Sequence, residues 1–585
     1  MPATPENTAN DTKSSEASEP EMLVPPDRVA HVERDVAHYA SHVPSSVRHI
    51  DWGEIFPATK LFRGFRVAVH PSKLLLSLVA VLLIYGGTRA LDGLFGLLPQ
   101  AWQAVPGEPA LFESVRSGAG DFDEEVESAR RALERRRNNL RESAALVLER
   151  PVDEIGRGDL VEAAEKRRDE RLSNLASARD RVLESADGDE ASIASAERAY
   201  GIGVADTYAL AAREVERVED LYPRGVGITL YDYETQQLDR LVAAVLDVNF
   251  MGEGGVFASL YRGLWIGPMW AFSQHPLYAA LLGIWTLAVL AVFGGAVARS
   301  AAVQVARDEK ISLRSALRFS SGKFVSFLSA PLIPVLVIVV LGLTASLAAL
   351  LMSLIGLVPG LGWLADIGIG LLVPIGLIVG LLITLTFIGL VGGISLMYPT
   401  IAVEGTDSFD AISRSFSYLF AKPWRVAWYG LVALVYGVLT FLVVRLFLWM
   451  VLIATRAALG VFVFREAAGT NVLDALWPKP SPNQFSYDIP FSNLTWGQDI
   501  AAVLIAITVF GLLSLLCAYA LSLYVSMGTI IYYLLRREVD ATEPDEVYLD
   551  PADEEFAGLA DVADDPLAEP EPAEVASKES DEQRE

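Results

Sequence analysis

Between Lys323 and Glu404 the chain runs 80 residues with one charged side chain, Asp366. No water-soluble core requires so long an apolar run. A helix of about 20 apolar residues crosses the roughly 30 Å hydrocarbon layer of a bilayer. The run therefore reads as two spans, Leu332–Leu354 and Ile369–Leu396, turned by Val358-Pro359-Gly360-Leu361-Gly362. Four more spans are predicted: Leu74 to about Leu91, Leu277–Ala298, one beginning near Trp428 and one within Ala501–Leu535. The last run is longer than a bilayer needs, so it must tilt, kink or project beyond the membrane. The fold class that follows is all-α: a polytopic membrane protein with about six transmembrane helices.

The net charge of −26 contrasts with a hydrophobic fraction of 52%. Position resolves the contrast. Residues 538–585 carry 19 acidic and two basic residues, a net of −17. A segment of that composition buries too little apolar surface to offset chain entropy and is expected to be disordered. Residues 1–54 read as a second disordered tail, rich near its start in Ser, Thr, Glu and Pro. It has no basic stretch followed by an apolar run, so no cleavable signal peptide is expected.

Residues 55–92 combine a basic segment with the first span. Lys60, Arg63 and Arg66 alternate with Phe56, Leu61, Phe62, Phe65 and Val69 at roughly helical spacing. Two readings fit: an amphipathic helix on anionic headgroups, or a plain linker before the span. Residues 93–255 hold the one sizeable water-soluble block. Three helices are predicted in it: Asp121–Glu149, Leu160–Glu184 and Ile193–Leu221. In the third, Val204, Tyr208, Ala211, Val215 and Val218 follow the 4-3 spacing of an antiparallel hairpin or coiled coil. Glu234–Val248 reads as one more amphipathic helix. Residues 256–298 form an aromatic interfacial segment and the second span, with Phe257, Tyr261, Trp265, Trp270 and Phe272 before the apolar run. A loop at 299–325 leads to spans three and four at 326–398. A second loop at 399–427 precedes spans five and six at 428–537.

Lys and Arg in short loops set orientation. Lys60, Arg63, Arg66 and Lys73 precede the first span. Arg299, Arg307, Lys310, Arg314, Arg318 and Lys323 lie between spans two and three, Arg414, Lys422 and Arg425 between four and five, and Arg536-Arg537 after six. All fall on one side of a six-span protein. That side is expected to be the cytoplasm of a bacterial inner membrane. Both termini are then cytoplasmic and the helical-hairpin block extracytoplasmic. Lys60, Arg63, Arg66, Arg314, Arg318 and Lys323 are the candidate contacts to anionic lipid headgroups.

The two basic loops align without gaps. Glu309, Ser312, Ala316 and Leu317 correspond to Glu404, Asp407, Ala411 and Ile412. Ser312 and Asp407 are suited to N-cap a short surface helix each, which implies a repeated unit of span, surface helix and span. The second loop reads Tyr398-Pro399-Thr-Ile-Ala-Val-Glu404-Gly-Thr-Asp-Ser-Phe-Asp-Ala411-Ile412-Ser-Arg414-Ser415. With the spans around it, about residues 277–535, it resembles the membrane domains that accompany bacterial glycerophosphodiester phosphodiesterases. The resemblance implies a membrane module. It brings no catalytic residue, because no His-Arg-Gly start and no acidic metal cluster on strands occur.

No nucleotide-binding, hydrolase or zinc-protease fingerprint appears in its proper context. His38 and His42 stand four apart, without the Glu that a zinc-protease helix needs, and Cys517 is the one cysteine. No catalytic, cofactor or metal residue is therefore assigned. The acidic balance argues against nucleic acid. Arg445 is the one base deep in an apolar run. It either snorkels to the far interface or binds an anion or lipid headgroup. Two functions remain: a non-enzymatic scaffold that binds a protein partner or itself through the hairpin helices, or a transporter or lipid-handling protein using spans two to six. Spans three and four lack the midplane ionisable groups usual in secondary transporters, an objection that an apolar substrate escapes.

Overall fold

A computed structural model describes residues 56–548, apart from 100–101, 118–120, 186–188, 223, 464–465, 468–469, 478, 481–495 and 544. The expected N-terminal tail and all but the start of the acidic one lie outside the described residues. Six helices are long and apolar enough to cross a membrane: Pro71–Gly96, Pro276–Arg307, Phe324–Gly356, Gly362–Glu404, Pro423–Gly460 and Trp496–Val539. They match the six predicted spans, and the chain is a multi-pass membrane protein. Strand structure among the described residues is limited to the two-residue pairing of Glu466–Ala467 with Thr470–Asn471.

The second and fourth spans run well past their predicted ends at Ala298 and Leu396, to Arg307 and Glu404, and the sixth continues from Leu535 to Val539. The fourth has 43 residues, about 64 Å at ~1.5 Å per residue and twice the apolar layer. The last turns of these three helices form a compact base where they finish. Leu396, Met397, Ile401, Ala402 and Val403 are buried there, as are Ala296–Ala298 and Ile530–Leu535. The long last run thus projects as one unbroken helix.

The two loops of the base follow the predicted repeat. Helices Leu313–Gly322 and Ser408–Ala421 begin at the expected caps. Ser312 Oγ accepts from Ser315 N at 3.1 Å, and Asp407 Oδ1 from Asp410 N at 3.0 Å. Both helices pack on the bundle. Each folds back along the span before it. A Cβ at Gly389 would sit 2.5 Å from the Phe416 ring, and one at Gly392 2.7 Å from Leu419. Glycine is what lets the second return helix seat. The gapless alignment also fails at its first position: Glu309 is exposed, whereas Glu404 is drawn into the base. The first loop is longer, with Asp308 left-handed (φ 56°) directly after its helix. In the second loop Gly405 takes that conformation (φ 65°) two residues before the cap.

On the opposite end stands the hairpin. Helices Phe122–Leu148, Arg157–Ser185 and Glu190–Glu219 match the three predicted ones. Asp121 and Asp189 cap the first and third. The last two pair antiparallel: Arg167 meets Glu214 at 3.2 Å, Leu175 abuts Gly203, and Arg179 lies 4.6 Å over the Tyr200 ring. A small core of Ala144, Ile155, Leu160, Ala163 and Val218 closes its foot. A backbone bridge between Ala104 and Arg224 forms the neck.

The predicted amphipathic helix after the hairpin is longer, Val226–Leu246, and belongs to the bundle. Asp92, the odd acid near the end of the first span, caps it from outside. Its carboxylate accepts from Gly227 N at 2.8 Å and Ile228 N at 3.0 Å. Tyr231 stacks edge-on against Tyr85 of the first span. The chain then doubles back through Val256–Gln274, which contains a π-turn at Arg262–Ile266. Phe257, Tyr261, Trp265 and Phe272 of this aromatic segment are exposed. Trp270 is buried, its Nε1 donating to Glu108 at 3.3 Å. The division drawn at residue 255 therefore falls inside one helical hairpin.

Candidate lipid-facing pocket and charged base

The structure separates the seven predicted basic residues. Lys60 is half-buried. Arg63, Arg66, Arg314 and Arg318 are exposed. Arg66 approaches Asp308 at 3.6 Å, which ties the first basic segment to the loop after span two. Lys323 is turned inward: its Nζ donates to Gly405 O at 2.7 Å and so caps the end of the fourth span. Arg445 neither snorkels nor stands alone. It is 7% exposed and ion-paired at 2.8 Å with Asp239 of helix Val226–Leu246. The acid lies in the segment whose composition reads as water-soluble, so sequence spacing does not supply the partner.

That ion pair borders a pocket. The next turn of the same helix, with Leu238, Leu241 and Val245, faces the fourth, fifth and sixth spans across a cavity of about 420 Å³. Phe441, Leu523 and Met527 form the far wall. Its lining is almost wholly apolar, with Ser395 and Tyr524 the hydroxyl groups. The volume lies within the range of small-molecule sites. Two glycines of the fifth span open it: nothing lies within 4 Å of a Cβ built on Gly430, and one on Gly437 only touches Leu523.

The base holds a second arrangement, built from groups that the sequence scattered. Glu404 accepts from Tyr532 Oη at 3.0 Å and pairs with Arg536 at 2.8 Å and Arg414 at 3.7 Å. Arg299, fully buried, donates to Ala402 O at 2.9 Å, and its guanidinium lies 4.5 Å over the Phe319 ring. Lys73, equally buried, donates to Gln304. Buried charges demand partners, and removing one partner is costly. These groups therefore bind the three long helices together. One signal was available: Glu404 and Arg414 both belong to the loop pattern quoted above, and the fold joins them.

The start of the acidic segment completes the base. Glu538 and Val539 finish the sixth helix rather than opening a tail. Tyr429 donates to Glu538 and Tyr418 to Asp540. Tyr548 N donates to Val403 O at 2.8 Å, and its ring covers Gly405. The strap is held by tyrosine hydroxyls and backbone, a pattern that net charge cannot reveal.

Among the described residues, no group of three His, Cys, Asp or Glu side chains is placed to hold a metal ion. Comparison with protein-family models, with curated proteins and with solved structures gives no match.

Proposed function

We propose that this is a lipid-handling membrane protein whose working site is the pocket between helix Val226–Leu246 and spans four to six, occupied by an acyl chain of a bilayer lipid. The observation that carries the reading is the chemistry of the wall. A cavity of about 420 Å³ lined mostly by Leu, Val, Phe and Met, with Ser395 and Tyr524 as the hydroxyl groups, offers an apolar chain broad contact and little hydrogen bonding. Burying each methylene contributes about 0.8 kcal/mol relative to water. Against the bilayer itself that gain largely vanishes, so retention depends on shape and packing. No group acts as a catalyst in this reading. The basic base faces the cytoplasm of a bacterial inner membrane, as the loop charges imply. The exposed Arg63, Arg66, Arg314 and Arg318 meet anionic headgroups there.

The test fills the pocket. Gly430→Trp places a ring in the open space beside it without a backbone clash. Native mass spectrometry of the detergent-solubilised chain should show retained lipid in the wild type and at least a tenfold smaller bound fraction in the variant. A wild type that retains no lipid under mild detergent, or equal retention by both, refutes the reading.

A second reading rests on a different observation. Val182, Ile202 and Leu210 are apolar and 44%, 65% and 44% exposed along the charged hairpin, the kind of seam that a partner helix covers. The chain would then be a scaffold that recruits a protein, or a second copy, through its hairpin. Crosslinking through Ile202→Cys in membranes tests it, and the absence of any crosslinked species removes it.

A further inference from the structure

Helix Val226–Leu246 begins beside the end of the first span, where Asp92 caps it close to Gly96. From there it runs down the bundle. Tyr231 meets Tyr85, whose ring also meets Phe510 at 5.0 Å. Asp239 meets Arg445, about six turns along the fifth span from its start at Pro423. Val242 and Val245 share the pocket with Ser395, Gly430 and Ile531. Those three residues lie within about three turns of Glu404, Pro423 and Val539, the helix ends that gather at the base. The helix has 21 residues, about 31 Å at ~1.5 Å per residue. That length matches the apolar thickness of a bilayer, roughly 30 Å. Segment Val256–Gln274 then climbs back. Trp265 meets Phe387 at 6.3 Å, and Tyr278, just beyond the segment, donates to Asp92 at 2.8 Å. The two helices therefore run from the end of the first span nearly to the base and return.

One side of this pair suits hydrocarbon and the other does not. The returning segment exposes Phe257, Tyr261, Leu264 and Trp265. On helix Val226–Leu246, Leu238, Leu241 and Val245 face the pocket. Gln236 and Arg240 stand four apart on the opposite face, and Asp247 follows seven residues later, directly after the helix. All three are exposed, and among the described residues no protein covers them. Ionisable groups at membrane depth face protein or a water-filled cavity, because hydrocarbon does not solvate them. The turn at 247–255 is polar too, with Asn249 and Glu253 exposed. It satisfies backbone groups internally: Asn249 N donates to Ala244 O at 2.8 Å, and Val256 N to Asn249 O at 3.0 Å.

We infer that residues 226–274 form a membrane-penetrating helix pair, and that its stripe of Gln236, Arg240 and Asp247 borders a water-filled cleft reaching through the apolar layer. The surface fits water and small hydrated solutes. It carries one base and one acid, so it hydrates without selecting the sign of an ion. Composition hides the pair from a search for spans, since Asp232, Glu234, Asp239 and Arg240 break the apolar run. Asp239 is neutralised within the bundle by Arg445, and Asp232 at the neck by Arg224 at 3.1 Å. Arg240 is the charge that the cleft must hydrate. The stripe lies on the face turned away from the pocket, so the inference does not depend on what fills the pocket.

The experiment measures thiol labelling of the full chain in lipid vesicles, in a Cys517→Ala background, with reagent on both faces of the membrane. Single cysteines replace Gln236, Arg240 and Asp247. Ser185→Cys, on the exposed hairpin, reports a fully wetted site, and Leu264→Cys reports the apolar face. All five positions are exposed, so the substitutions leave the packing intact. A charged methanethiosulfonate should modify the three stripe positions within about tenfold of the Ser185→Cys rate. It should modify Leu264→Cys at least a hundredfold more slowly, while a membrane-soluble maleimide reaches that position readily. Stripe positions as slow as Leu264→Cys would overturn the cleft. A Leu264→Cys rate equal to that of Ser185→Cys would place the pair outside the membrane and overturn its depth. Disulfide-linked dimers of Arg240→Cys, with labelling lost, would assign the stripe to a second copy of the chain and overturn the water-filled cleft.

Discussion

The far halves of spans three and four and the base of spans two, four and six are built from opposite materials. From Val335 to Leu385 large apolar side chains point outward: Leu343 is 65% exposed and Leu377 71%. Among the described residues, no protein covers them. In the base, Lys73, Arg299, Ser415, Ser526 and Tyr532 are buried. In water the apolar run would be the core. In a bilayer the hydrocarbon solvates it, and apolar burial supplies little drive for helix association. What holds this bundle is close packing over glycine together with matched charge.

Substitutions at the two places should therefore differ by an order of magnitude. Arg536→Ala should cost most, about 3–5 kcal/mol, because it leaves Glu404 with a diminished set of partners in a buried site. Denaturant unfolding in detergent micelles measures the loss, and a cost under 1 kcal/mol would equate the base with the lipid-facing surface. Gly392→Leu should rank second at about 1–3 kcal/mol, since the added side chain meets Leu419 and forces the return helix off the fourth span. If its stability is unchanged, close approach is not what seats that helix. Leu343→Ala should be nearly silent, within about 0.5 kcal/mol. A large effect there would mean that a second chain covers this face.

The same contrast explains what could be read in advance. Spans, hairpin and N-caps are local patterns: a long apolar run, a 4-3 seam, Ser312 and Asp407 ahead of short helices. The base was not legible. In a run such as Phe387–Val403 nearly every residue is apolar, so no period separates the lipid-facing side from the buried one. Length alone hinted that the helices outrun the membrane. Long-range partners were hidden for a different reason. Asp239 and Arg445 stand 206 positions apart, and only the insertion of helix Val226–Leu246 into the bundle brings them together. The sequence marks Arg445 as unusual, but its partner lies in a segment whose composition reads as water-soluble.

The hairpin has a mechanical consequence. Its two helices have 29 and 30 residues, about 43 Å of arm at ~1.5 Å per residue. The arm is pinned at the Ala104–Arg224 bridge, and the helix that follows is fastened to the first span by Asp92. A lever of that length magnifies small rotations: 10° at the neck carries the tip through about 7 Å. A shift of the first span against helix Val226–Leu246 is thus magnified at the tip of the hairpin.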